Sequence, residues 1–73
     1  MKQLILKAIS NRKRLNRLGK SCYTSTQFIR NLEYWISNGA NIAEIVANHE
    51  PELRLLMTRN FIKQFEILKD EMK

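Results

Sequence analysis

Apolar residues recur along most of this chain at three- and four-residue intervals, the spacing that gathers them on one face of an α-helix. In the first segment Leu4, Ile5, Ala8, Ile9, Leu15 and Leu18 share a side, with Arg12 in register between the two halves. Gly19 follows the last apolar position, where a left-handed C-terminal cap belongs. A first helix is therefore expected over about residues 2–18. Ser10, Asn11 and Asn16 lower its intrinsic propensity, which makes it the segment expected to be least stable alone.

A second helix is expected over 25–38, capped by Thr24 with Gln27 completing a capping box and Tyr23 opposite Phe28 as a hydrophobic staple. Phe28, Ile29, Leu32, Trp35 and Ile36 repeat as a buried face before Asn38-Gly39 ends the pattern, so this helix is expected at the centre of the core. A short third helix over 42–49 starts at Asn41, with Glu44 at the matching third position and Ile42, Ile45 and Val46 on its apolar side. Glu50-Pro51 is read as its stop, because proline disfavours a helical residue before it. Pro51 then opens a fourth helix over 51–72, whose stripe is Leu53, Leu56, Met57, Phe61, Phe65, Leu68 and Met72. Leu55, Ile62 and Ile67 widen that stripe and are candidates either for packing under the first helix or for docking a partner. The pattern predicts an all-α fold, a small bundle of three to four helices. The chain reads as a single domain over 1–73, with a first helix over 1–20 that is separable from a core over 23–73.

Length changes the picture, because 73 residues lie near the lower end of what one core stabilises. A chain this short buries roughly 60% of the surface its unfolded form exposes. Single cysteine and histidine residues, Cys22 and His49, rule out an internal disulfide and a multi-cysteine metal site. Reinforcement is therefore expected from a partner or from a homo-oligomer. A lone thiol and no recognisable secretory leader suggest a reducing, cytoplasmic setting, and no apolar run approaches the ~20 residues that span a bilayer.

Charge is distributed unevenly. The net charge is +6, yet residues 1–30 carry +8 with no acid at all, and the remainder sums to −2. Lys7, Arg12, Lys13, Arg14, Arg17 and Lys20 are the candidate residues for binding nucleic acid or another polyanion. If four to six of them reach phosphates, the log–log salt slope of binding is expected at roughly −3 to −5. Cations towards a helix C-terminus also complement the helix dipole. That effect does not account for thirty consecutive residues without an acid.

Candidate chemistry is sparse. Nucleophilic catalysis would have to pair Cys22 with His49, and nothing in their spacing joins them. Glu44, Glu50 and Glu52 stand near helix starts, where capping and dipole effects explain them. Gly19-Lys20-Ser21 copies the tail of a phosphate-binding loop without its earlier glycine or preceding strand. The chain is expected to be non-enzymatic, with no cofactor and no metal.

Binding motifs carry more. Residues 41–60 have the outline of a helix-turn-helix, but Glu50-Pro51-Glu52 would point carboxylates at a polyanion. Asn11-Arg12-Lys13-Arg14-Leu15-Asn16-Arg17 resembles the short arginine-rich helices that enter RNA grooves. Trp35 lies on the apolar stripe and is expected in the core, whereas Tyr34 is free to stack. Ile42-Ala43-Glu44, Val46, Pro51-Glu52, Leu53-Arg54 and Arg59 resemble, over about twenty residues and with one gap, two helices of the theta subunit family of bacterial DNA polymerase III. That resemblance implies a small helical accessory subunit that binds a proofreading exonuclease.

Two expectations follow. The basic amino-terminal helix engages nucleic acid, DNA or RNA, or a nucleoprotein, as an accessory or regulatory factor. Alternatively, the protein is an accessory subunit or inhibitor of a larger nucleic-acid-handling enzyme, docked through Leu55, Ile62 and Ile67 with the cations steering association. Attachment to a membrane surface through Leu4, Ile5, Leu6 and Ile9 is disfavoured, since that stretch lacks aromatic anchors.

Overall fold

Glycine punctuation sets the first two helix ends. The structure, a computed structural model, describes residues 1–20 and 25–72. Among these, the elements are α1 (Lys2–Arg17), α2 (Thr26–Ser37), α3 (Ile42–Leu56) and α4 (Arg59–Glu71), with no strand. The all-α expectation holds. After α1, Gly19 adopts φ +78°, its N–H reaches the Asn16 carbonyl at 3.1 Å and the Lys20 N–H reaches the Leu15 carbonyl at 3.0 Å. After α2, Gly39 at φ +77° repeats the arrangement, with Ala40 N–H on the Trp35 carbonyl at 2.9 Å. Both are Schellman caps, in which left-handed glycine turns the chain back on carbonyls the helix leaves unpaired.

The helix starts differ in part from expectation. Ser25, not Thr24, caps α2: its hydroxyl accepts the Phe28 N–H at 3.0 Å. Gln27 donates to Asn31 at 3.0 Å rather than serving a capping box, and the expected Tyr23 staple and Thr24 cap lie outside the described residues. Asn41 caps α3 as expected, accepting from Ala43 N–H at 2.9 Å and Glu44 N–H at 3.3 Å.

The division between the last two helices is expected only in part. The helix that starts at Ile42 is interrupted at His49 (φ −129°, ψ 27°), where the expected stop before Pro51 lies, and helical geometry resumes beyond it to Leu56, so α3 is two helical pieces joined across a kink. That distortion relieves the clash between a proline ring and the carbonyl four residues earlier, here Ala47. A second break, inside the expected helix over 51–72, falls at Met57 and Thr58, which are extended with ψ 145° and 171°. Thr58 makes no side-chain cap bond. Met57 and Ile62 occupy the two positions of a hydrophobic staple around it, which is the local signal for this start.

Each helix sends a fully enclosed side chain into one core: Ile5, Leu32, Leu53 and Phe65, all at 0% exposure. Leu4, Ala8, Ile9, Ile29, Ile36, Ile45, Val46, Leu56 and Met57 complete it. The central element is α1, which packs against α2, α3 and α4, rather than the expected α2. Its apolar face stops early, however. Leu15 is half-buried and Leu18, expected inside, is exposed. At the other terminus Met72 also ends exposed.

A polar cluster joins α3 to α4, and a cluster of rings joins α2 to α3. Glu50 accepts from Lys69 and lies 3.5 Å from Arg54, which bonds Glu66 at 3.1 Å and lies 5.5 Å over the Phe65 ring. The Lys69 hydrogen bond, opposed by partial desolvation and assisted by Arg54, holds the Glu50 carboxyl below its ordinary pKa. At the kink, His49 stacks on Trp35 with centroids 5.0 Å apart, and Phe28 lies 5.8 Å from His49. Trp35 is thus half-buried against α3 rather than enclosed in the core.

Candidate nucleic-acid interface

The cations of α1 divide by their position around the helix. Residues 4, 5, 8, 9 and 12 face inward. Arg12 is therefore not a surface cation: it is 8% exposed, and its Nε donates to the Leu56 carbonyl at 3.2 Å. This corrects its assignment as a polyanion-binding residue. The register already contained the answer, because Arg12 continues the stripe of Ile5, Ala8 and Ile9. Leu56 is the last residue of α3, and its carbonyl is one that the helix leaves without an internal donor.

The other five candidates are exposed on α1 or just beyond it. Lys13 pairs with Glu33 of α2 at 2.9 Å, so its charge is locally offset. Arg14 donates to Asn11 at 3.0 Å, an internal contact that leaves its charge uncompensated and orients the guanidinium along the helix. Among the described residues, no ion pair engages Lys7, Arg17 or Lys20. Lys20 leaves the Schellman turn one residue after Gly19, adjacent to the last turn of α1.

The acids lie elsewhere. Apart from Glu33, all of them are on α3 and α4. Arg54 and Lys69 are balanced by Glu50 and Glu66 at the α3–α4 contact, whereas α1 carries cations and no acid. A shallow groove lined by Lys2, Leu6, Glu33, Tyr34, Ile36 and Ser37 runs alongside it, between α1 and α2. Tyr34 is 66% exposed at its edge, as its position off the apolar stripe predicts.

The second set of candidates also divides. Leu55 and Ile67 are exposed, at 50% and 62%. Ile62 is partly buried and packs against the core, so it belongs to the domain's own packing rather than to a docking surface. Among the described residues no group of three His, Cys, Asp or Glu side chains is placed to hold a metal ion. No helix among them is long and apolar enough to cross a membrane. Comparison with known proteins finds no matching family model, no matching curated protein and no matching solved structure.

Proposed function

We propose that this protein binds nucleic acid through the solvent face of α1, as an accessory factor. The observation that carries this reading is the group Lys7, Arg14 and Arg17 on α1 with Lys20 just beyond its end, all exposed and with no ion pair to a described residue. Such a group produces a local positive potential and gains free energy by releasing the counterions condensed on a phosphate backbone. The rest of the bundle fixes α1 in place, since that helix touches the other three. Arg12 serves this indirectly by anchoring α1 to the end of α3.

The test is a salt titration of binding to duplex and single-stranded probes. Four phosphate contacts give a log–log slope of about −3.6 on duplex DNA. Changing Arg14, Arg17 and Lys20 together to glutamine is expected to weaken binding at least tenfold at low salt while leaving the helical circular dichroism unchanged. A wild-type protein that binds neither DNA nor RNA at low salt refutes the proposal.

The exposure of Leu55 and Ile67 favours a second reading, docking onto a protein that handles nucleic acid. Under it, serine at both positions abolishes capture of that partner from nuclease-treated lysate while binding to nucleic acid is retained.

A further inference from the structure

The exposed face of α1 has an internal order beyond its charge. With 3.6 residues per turn, the side directly opposite the buried residues is occupied by Gln3 and Ser10, seven residues apart and both exposed. Lys7 and Arg14, also seven apart, run along one side of that line. Lys13, which is paired with Glu33, and Arg17, four apart, run along the other. A neutral, hydrogen-bonding midline is therefore bordered on both sides by cations. No aromatic residue stands on this helix, and Tyr34, the large exposed aromatic, belongs to α2.

We propose that α1 lies lengthwise in the major groove of duplex DNA. In that position Gln3 and Ser10 face base edges and the two cationic borders face the phosphate walls. This rests on the reading of α1 as a nucleic-acid-binding helix and specifies its ligand. The B-form major groove, about 12 Å wide, admits an α-helix, and its floor offers paired donors and acceptors that a glutamine reads on adenine. The A-form RNA major groove is too deep and narrow to be read in this way. Single strands are held largely by stacking on aromatic side chains, which α1 lacks. A helix with cations on both borders suits a ligand that presents phosphates on both sides, which a single strand does not. At about 1.5 Å per residue α1 is about 24 Å long, enough to follow roughly seven base pairs at 3.4 Å each.

The experiment compares fluorescence anisotropy of the full chain on three labelled probes of one sequence, about twice the length α1 can cover. The probes are a DNA duplex, an RNA duplex and a single DNA strand. The DNA duplex is expected to bind at least tenfold more tightly than either alternative. A cationic dye that fills the major groove is expected to displace the protein, and a minor-groove dye to leave it bound. Equal affinity for the three probes, or indifference to the major-groove dye, overturns groove insertion while leaving polyanion binding intact. Absence of binding to every probe overturns both.

Discussion

Arginine 12 provides a test that separates the architecture of α1 from its electrostatics. Replacing it by alanine removes a charge-assisted hydrogen bond and leaves the Leu56 carbonyl, at the end of α3, without its 3.2 Å donor. Hydrogen bonds to charged groups contribute about 1.5–3 kcal/mol. The lost aliphatic stem adds about 0.8 kcal/mol per buried methylene, while removal of a desolvated charge returns part of the total. A net loss of about 3 kcal/mol results, a large fraction of the stability of a domain this small. In this size range each kcal/mol shifts Tm by about 4–8 °C, so Arg12→Ala is expected to melt about 12–24 °C lower. Arg12→Met keeps the stem and is expected to lose about half as much. Arg14→Ala, two residues away and exposed, is expected to stay within about 0.5 kcal/mol of wild type. Thermal and urea unfolding followed by far-ultraviolet circular dichroism reads all three. The reasoning is refuted if Arg12→Ala melts like Arg14→Ala, or if Arg12→Met unfolds as easily as Arg12→Ala.

Two further substitutions test the charge network. Because Lys69 and Arg54 hold the Glu50 carboxyl below its ordinary pKa, its ionised form stabilises the fold above pH 4.5. That contribution is lost as the pH falls below 4.5 through the lower folded-state value, so Glu50→Gln should flatten the acid limb of a plot of urea midpoint against pH. An unaltered limb would show that the cluster does not set acid stability. Glu33→Gln releases Lys13 from its 2.9 Å pair, at a cost to stability of about 0–1 kcal/mol. It should tighten binding to duplex DNA and steepen the salt slope by about 0.9; an unchanged slope would place Lys13 outside the interface.

Some of this structure could be read from residue order because its causes are local. Gly19, Gly39 and Asn41 mark their caps through single-residue preferences, and the caps form where those residues stand. The end of α3 could not be read in the same way. The apolar stripe keeps its helical period from Leu53 through Phe65, so periodicity gives no sign of the break, and Thr58, a favoured N-cap type, stands inside that stripe and makes no side-chain cap bond. At Pro51 the break was legible, because proline disfavours helical backbone just before it, and the helix is interrupted at His49, whose ring is held against Trp35 and Phe28. Of the six cationic candidates, helical register alone would have removed Arg12, since it stands on the same side as Ile5 and Ile9. The Lys13–Glu33 pair spans twenty residues and two helices, which no local pattern encodes.

The stacking of His49 on Trp35 gives the molecule a built-in optical reporter. Trp35 is the sole tryptophan of the chain, and its indole lies 5.0 Å from an imidazole carried by the bent residue of the next helix. Its emission therefore reports on a single place, the seam where α2 meets the distorted turn of α3. Any event that straightens that turn or parts those two helices changes the signal without an added label.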